Sequence, residues 1–172
     1  MRERRVLKGR GFPVIGMVGE LWKNQEELID AADALRRVFP DITVAIVGGG
    51  GTQHLEEKIA RYGLQRNVVL TGRIPRQQIP DLFYDLDLSV STHRNEGFGI
   101  VHLESLAAGT PVVAYNSGGL VEILRRGGGV LVDGVTTDFV REVTALLRMM
   151  REDRHWELKG KRLSRISFRS RR

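Results

Sequence analysis

The feature that most constrains this chain is the recurrence of short β-branched runs, each followed by a glycine- or serine-containing turn and then by a segment with helical spacing. The runs do not alternate polar with apolar residues, so each predicts a strand that is buried on both faces. Strands that alternate with helices form parallel sheets joined by right-handed crossovers. We therefore predict an α/β fold, a doubly wound parallel sheet of about six strands. The candidate strands are residues 14–18, 42–47, 68–70, 86–91, 111–114 and 130–132.

The segments between the runs support the helical half of this prediction. Gly63 and Gly109 stand where glycines end helices, and Pro75 suits the start of one. In a Rossmann-like sheet the ligand lies beyond the carboxyl ends of the strands, at the point where the strand order reverses. The loops after the strands, near 19–24, 48–52, 71–75, 91–99 and 115–119, are therefore the candidate ligand loops. The apolar residues that repeat at three or four positions are Leu28, Ala32, Leu35 and Val38, then Leu55, Ile59 and Tyr62, then Val140, Val143, Leu147 and Met150.

The net charge of +6 on the 172 residues is unevenly distributed. Residues 1–10 carry a net +4 and residues 159–172 a net +7, whereas residues 11–158 carry a net −5. We expect a basic N-terminal segment (1–12), one ligand-binding domain (13–158) and a basic C-terminal tail (159–172). The tail is either a solvated end or a contact for anionic lipid or an acidic partner. The acidic body argues against nucleic-acid binding, which would depend on the two ends.

Composition excludes several other classes. The chain has no cysteine, which rules out a thiolate nucleophile, an iron–sulfur cluster and a cysteine zinc site. No apolar run approaches the ~20 residues that span a bilayer. Pro13 and Gly16 interrupt the one stretch near the start that could imitate a signal peptide. We expect a cytoplasmic protein, with membrane association at the cytoplasmic face left open through the basic tail.

The residues most informative about function follow the fourth candidate strand, in the stretch 96–104, which reads EGFGIVHLE. Gly97 and Gly99 allow a tight turn, and the helix that follows begins with amides that lack partners, which favours an anion such as a diphosphate. Glu104, one turn into that helix, can accept two hydrogen bonds from a vicinal diol such as ribose. Glu96 would then face the group beyond the phosphates. By spacing alone, an ordinary loop acid at 96 and an ordinary helix acid at 104 are the favoured interpretation.

The motif EGFGIVHLE followed by SLAAGTPVVAYNSGGLVEIL resembles the signature of the retaining glycosyltransferases of family 4, group 1. The similarity runs from about Val14 to Met150 and includes Lys23–Asn24, the turn after Val47, and residues 69–74. The resemblance implies the carboxy-terminal, nucleotide-sugar-binding half of a GT-B enzyme. It also implies that no metal cofactor is needed and that the donor is a nucleoside diphosphate sugar, with a UDP-sugar or a GDP-sugar as the leading candidate.

The resemblance assigns a role to each matching position. Glu96 would act at the donor sugar and is the candidate catalytic residue, and Glu104 would bind the ribose. Lys23 would neutralise the phosphates. Apart from the resemblance, His93 lies in a candidate ligand loop and could touch the sugar. The remaining candidate donor-binding residues are Gly48 at the crevice, Arg73 and Ile74 beside the base, Gly97, Phe98 and Gly99 at the sugar hydroxyls, and Ile100 and Val101 at the diphosphate.

Two departures from the family pattern matter. Glu20 stands where the family usually has a phosphate-binding arginine, so it would repel a diphosphate unless it turns away. Arg94 is a candidate replacement, or simply a solvated arginine. The chain is also too short to hold the amino-terminal, acceptor-binding half, so we expect it to bind nucleotide with little or no transfer alone. A non-catalytic nucleotide-binding module remains the alternative. His54, His93, His102 and His155 show no metal-ligand spacing.

Overall fold

The computed structural model describes residues 5–95, 97–125 and 127–152, and within them the six predicted strands are confirmed with ends that move by at most two residues. The strands are β1 (Val14–Val18), β2 (Thr43–Val47), β3 (Val68–Gly72), β4 (Leu88–Ser91), β5 (Val112–Tyr115) and β6 (Gly129–Val132). The helices are α1 (Gln25–Arg36), α2 (Gln53–Arg61), α3 (Ile79–Asp85), α4 (Ile100–Ala107), α5 (Leu120–Leu124) and α6 (Thr136–Glu152), with a short 3-10 turn at Arg76–Gln78.

The strands form one parallel sheet in the order β3-β2-β1-β4-β5-β6. The chain first moves outward from β1 to β3 and then returns to place β4 beside β1, so the order reverses between β1 and β4. β1 pairs with β2 along its whole length, and pairs with β4 through Ile15 and Gly16. This doubly wound arrangement confirms the predicted Rossmann-like class and puts the switch point at the carboxyl ends of β1 and β4.

Helices cover both faces of the sheet, which explains why its strands lack polar alternation. β2, β4 and β5 are buried at every position. One face packs against α1, α2 and α6, and its core includes Leu28, Leu55 and Leu147. The other face packs against α3, α4 and α5, through apolar residues such as Leu82 and Leu120. Burial on both sides leaves the loops at the strand ends as the place for polar chemistry.

The helical repeats are confirmed except at the ends of α1 and α2, and Tyr62 lies directly after α2, which ends at Arg61. Leu28, Ala32 and Leu35 are fully buried in α1, but α1 ends at Arg36. The extension of this repeat to Val38 is therefore wrong, and that side chain is 37% exposed. Gly63 and Gly109 follow α2 and α4 with φ of 62° and 81°, values that favour glycine after a helix. Pro75 directly precedes the 3-10 turn.

The start of the described chain is tied to the domain through Asp85, which is fully buried at the end of α3. Its carboxylate accepts hydrogen bonds from the backbone amides of Arg5, Val6 and Leu7 at 2.6–2.8 Å. The Arg5 guanidinium also pairs with Asp81. Part of the predicted basic N-terminal segment thus packs on α3. The predicted domain limits stay a prediction, and the basic tail 159–172 lies outside the described residues.

Candidate functional site

The predicted donor-binding residues lie on loops that share one edge of the sheet. Because every strand is parallel, the loops after β1, β2, β3 and β4 all emerge at the carboxyl edge. Lys23 follows β1, Gly48 follows β2, and Arg73 and Ile74 follow β3. Residues 93 and 97–104 follow β4 and run into α4. Glu96, the candidate catalytic residue, lies outside the described residues.

The loops after β1 and β2 touch through their backbones at Gly48. An ideal Cβ built on Gly48 would lie 1.8 Å from the carbonyl oxygen of Gly19, so no side chain fits there. The Gly19 amide donates to Val47 at 2.9 Å, and the Gly48 amide donates to Gly72 at 3.1 Å. The backbone at Gly48 therefore packs directly against the loop after β1 and is hydrogen-bonded to the end of β3.

Glu20 turns toward β3 and pairs with a basic side chain. The Arg73 guanidinium lies 3.2 and 3.3 Å from the two carboxylate oxygens of Glu20, although both side chains are at least half exposed. Arg73 also passes over Gly49, where an added Cβ would come within 2.1 Å of its Nε. Glu20 is thus paired with Arg73, the residue predicted to border the base.

Lys23 sits in the turn between β1 and α1, beside an exposed aromatic ring. Its side chain lies over Gly19, and its Nζ is 5.7 Å from the centroid of the Trp22 ring. Trp22 is 70% exposed and meets His93 edge to face, with 5.4 Å between ring centroids. Trp22 therefore lies near both Lys23 and His93, which were predicted from separate loops, at the switch point.

The start of α4 has the geometry of an anion site. Gly99 has φ of 75° and precedes the helix, and its carbonyl accepts hydrogen bonds from the amides of His102 and Leu103. The amides of Ile100 and Val101 precede these first intrahelical donors, as in every helix start. The Gly97 carbonyl accepts a hydrogen bond from the Gly119 amide at 2.9 Å, which holds the loop against the turn after β5.

The exposure of the α4 start differs from residue to residue. Phe98 and Ile100 are exposed, at 68% and 59%. Val101 and Ile74 pack against the core on the α3 side of the sheet. Glu104 is half-buried, and its Oε1 lies 3.8 Å from Nη2 of the exposed Arg76. Arg76 was not among the predicted residues, and only the turn after β3 brings it to Glu104.

Arg94 does not point freely into the crevice, because its guanidinium is already engaged. It donates to Glu27 at 3.1 Å and to the Gly134 carbonyl at 3.0 Å, and it stacks 3.6 Å over the Tyr115 ring. Burial, together with a hydrogen bond to Glu27, raises the pKa of the Tyr115 phenol to about 12.

Glu27, the carboxylate that pairs with Arg94, was not identified from the sequence. The available signal was the Asn24-x-x-Glu27 spacing, which suggests only a helix cap.

An open cavity of about 560 Å³ lies at the start of α5. Gly119, which donates to Gly97, is one of its lining residues, so the cavity adjoins the loop before α4. Among the described residues, no helix combines the length and apolar character needed to cross a membrane. Within the same ranges, no three or more histidine or acidic side chains are grouped to hold a metal ion. The described lining of the cavity is Gly118, Gly119, Val121, Glu122 and Arg125.

Strand order, a switch point lined by glycine turns and an open helix start together define the Rossmann-like class of ligand-binding domains. Residues 3–163 match the family model described as glycosyl transferases group 1. The chain therefore belongs to the group 1 glycosyltransferase family. It is 36% identical, over 92% of its length, to a GDP-mannose-dependent alpha-(1-6)-phosphatidylinositol monomannoside mannosyltransferase of Mycolicibacterium smegmatis, of which it covers 46%.

Solved structures extend the comparison. Alr3699/HepE of Anabaena, solved in complex with UDP and glucose, has a TM-score of 0.68 and 31% identity, with 81% of this chain and 39% of that chain covered. The C-terminal domain of the group 1 protein LpcC from Francisella tularensis has a TM-score of 0.69 and 26% identity, with 90% and 83% covered. The chain thus spans less than half the length of the curated mannosyltransferase but most of a single solved domain.

Proposed function

We propose that this chain is the donor-binding half of a retaining glycosyltransferase with a GT-B fold. It would bind a nucleoside diphosphate sugar, either a UDP-sugar or a GDP-sugar. The enzyme would transfer the hexosyl group to an acceptor hydroxyl held by an amino-terminal half. The observation that carries the proposal is the α4 start at the switch point, where the amides of Ile100 and Val101 precede the first intrahelical donors and Glu104 lies on the same helix.

Each group has a role that its chemistry suits. The amides of Ile100 and Val101 and the Lys23 ammonium would hold the diphosphate, and the helix dipole contributes about 0.3–1 kcal/mol per charge. Glu104, already half-buried at this edge, would accept the two ribose hydroxyls in place of its long contact with Arg76. The amides of residues 97–99 would meet the sugar.

The remaining predicted residues border the same ligand. The backbone of Arg73 and Ile74 would lie along the base, Gly48 would allow close approach, and His93 would reach the sugar beside Trp22. In support, the Glu20–Arg73 pair reduces the repulsion that Glu20 would otherwise exert on the phosphates. Peripheral contact of the basic tail with an anionic membrane at the cytoplasmic face is part of the same proposal.

Catalysis would rest on electrostatic stabilisation of the departing diphosphate by fixed amides and Lys23. These donors supply the charge stabilisation that a metal provides elsewhere, so we propose that no metal is required. Glu96, placed by its position in the motif, would support the positive character that develops at the anomeric carbon. The acceptor-binding half would complete the site, so the isolated chain should bind donor without transferring it.

The proposal is tested by titrating UDP, GDP, ADP and dTDP sugars into the chain and measuring thermal shift and dissociation constant. One class should bind, and Glu104→Ala should weaken it by about ten- to a hundredfold because a charge-assisted pair of hydrogen bonds is lost. Glu57→Ala, which removes an exposed acid from α2, is the matched control and should bind normally. Absence of any binder, or normal binding by Glu104→Ala, would contradict the donor site.

Two further outcomes separate the parts of the proposal. Robust sugar transfer by the isolated 172 residues would contradict the half-enzyme assignment but not the donor site. In the enzyme joined to its acceptor-binding half, Glu96→Gln should abolish transfer and leave nucleotide binding intact. Unchanged transfer in that variant would remove Glu96 from catalysis.

A further inference from the structure

A nearly buried carboxylate lies beneath the candidate donor site. The Glu27 side chain, in the first turn of α1, is only 14% exposed. Its Oε1 accepts hydrogen bonds from Arg94 at 3.1 Å, from Thr136 at 2.9 Å and from the Tyr115 hydroxyl. Its Oε2 accepts from the Asn24 amide at 2.5 Å. One carboxylate is thus shared by four side chains from four different parts of the chain.

These four partners connect the loops at the carboxyl edge. We name residues 19–24 the β1 turn and the described residues 92–95 and 97–99 the β4 loop. Asn24 is the last residue of the β1 turn, next to Lys23, and Arg94 lies in the β4 loop that leads to α4. Tyr115 ends β5 and Thr136 begins α6. Glu27 therefore links the β1 turn, which carries Lys23, to the β4 loop, which carries Gly97 and Gly99.

A second pair of contacts joins the same two loops directly. The fully buried Thr92 donates its hydroxyl to the Asn24 carbonyl at 2.7 Å, and the Asn24 side chain donates back to the Thr92 carbonyl at 3.2 Å. Asn24 makes these contacts with φ of 63°, a left-handed conformation that asparagine tolerates better than most residues. The Glu27 carboxylate accepts a hydrogen bond from the same Asn24 side-chain amide. It therefore fixes the orientation in which that amide also reaches the Thr92 carbonyl.

Only the carboxylate of the Glu27–Arg94 pair is largely removed from water, since the Arg94 side chain is 46% exposed. Removing a carboxylate from water carries a desolvation penalty that its attraction to a partner offsets only in part, so the pair is weak evidence of stabilisation. Such pairs can instead specify one geometry among several compact ones. An anion site depends on this, because a shift of about 1 Å in the groups that hold a ligand can cost a hundredfold in activity.

We propose that Glu27 is a positioning residue of the donor site, one that holds the β1 turn with Lys23 and the β4 loop before α4 in a single relative geometry. The inference rests on the proposed function. In this arrangement Arg94 serves the loop and not the phosphates, because its guanidinium is divided between Glu27, Tyr115 and Gly134. Glu27→Gln keeps the shape but removes the charge and replaces one of the two acceptor oxygens with an amide donor.

The first test needs no ligand. Hydrogen exchange of the apo chain should show faster exchange at the amides of Lys23, His102 and Leu103 in Glu27→Gln, by about tenfold, with α2 unchanged, because the loops open locally. Glu26→Gln is the matched control on the same helix, since the Glu26 side chain is 55% exposed and makes contacts of 3.8–3.9 Å. Unchanged exchange at these three amides would overturn the positioning role.

A second control separates positioning from general destabilisation. Leu147→Ala leaves a cavity in the α6 core, so it should lower the melting temperature without selectively loosening the loops. Uniformly faster exchange in Glu27→Gln, with the profile of Leu147→Ala, would mean that Glu27 is merely structural and would overturn the proposal.

The third test uses the tightest-binding sugar nucleotide of the panel, below the melting temperature of every variant. Glu27→Gln should raise its dissociation constant about tenfold, and Lys23→Ala should then cost less in the Glu27→Gln background than in the wild type, since coupled residues are not additive. Tighter binding by Glu27→Gln would show that Glu27 withholds Arg94 from the phosphates and would overturn the proposal. If the wild type binds no nucleotide, the proposed function fails and hydrogen exchange alone decides the role of Glu27.

Discussion

Replacing Gly48 with alanine should separate the β1 turn from β2, because the added Cβ has nowhere to go. Its ideal position is 1.8 Å from the Gly19 carbonyl oxygen and 2.8 Å from the carbonyl carbon. Side-chain Cβ atoms essentially never approach closer than 3.0 Å, so the two backbones must part by at least 1.2 Å. The obstructing atoms are backbone, so no rotamer change can relieve the contact.

The expected loss follows from the hydrogen bonds at that point. The amide of Gly19 bonds to Val47 at 2.9 Å and that of Gly48 to Gly72 at 3.1 Å, and a shift of this size breaks or stretches both. At roughly 1 kcal/mol per bond plus the strain that remains, Gly48→Ala should lower the free energy of unfolding by about 2–4 kcal/mol. For a domain of this size that corresponds to a melting temperature lower by about 5–15 °C.

Gly51→Ala is the control from the same glycine run, because nothing lies within 4 Å of its Cβ position. It should change the free energy of unfolding by less than about 0.5 kcal/mol. Urea unfolding followed by circular dichroism measures both variants, and thermal scans check them. Equal urea midpoints for Gly48→Ala and Gly51→Ala would refute the claim that the two loops are in rigid backbone contact.

Three further outcomes are expected. Gly119→Ala, whose Cβ would lie 2.1 Å from the Gly97 carbonyl oxygen, should lower both the melting temperature and nucleotide affinity, whereas Gly97→Ala meets nothing within 4 Å and should remain folded in the same thermal scan. Asp85→Asn should lower the free energy of unfolding by about 2–4 kcal/mol in urea titrations, since the buried carboxylate serves three backbone amides of residues 5–7; an unchanged midpoint would refute this. Because the Tyr115 pKa is raised to about 12 in the folded chain, the phenol of the unfolded chain loses its proton at lower pH. The free energy of unfolding should therefore fall as the pH rises from 10 to 12. Tyr115→Phe should lack that loss in unfolding curves measured at alkaline pH.

The pairing of Glu20 with Arg73 shows how the structure resolves a conflict that the sequence only poses. An acid beside a diphosphate site is unfavourable when it stands alone, and the β1 turn offers it no nearby cation apart from Lys23. Arg73 is 53 residues away in the chain but two strands away in the sheet. The ion pair is exposed, so its value to stability is small, but it changes the charge that a ligand would meet.

Local pattern was sufficient for the strands and for the helices that separate them. β-branched runs that are buried on both faces can form only one kind of sheet, so the class and the positions of the ligand loops follow from residues that are neighbours in sequence. The stretch 96–104 likewise carries its own information, because the glycines, the helix start and Glu104 lie within nine residues. The family assignment draws on the same stretch.

Local pattern failed where a side chain selects a distant partner. Asn24-x-x-Glu27 has the spacing of a helix cap and the two side chains do meet, but the Asn24 side chain also reaches Thr92, and the Glu27 carboxylate also reaches Arg94, Tyr115 and Thr136. The last three partners lie 67, 88 and 109 residues away. Nothing in the residues around Glu27 indicates which of them it will meet.

The sequence by itself thus determined the doubly wound class, the edge of the sheet at which the candidate ligand loops lie, and the glutamate motif, because each depends on short-range periodicity and turn chemistry. Only the tertiary structure decided which charges are neutralised there. Strand order brings β1, β4, β5 and the start of α6 together at one edge, and it places Arg73 on Glu20 and Arg94 on Glu27. Electrostatic partners depend on that order, since the attraction between charges falls with distance in space and is indifferent to distance along the chain.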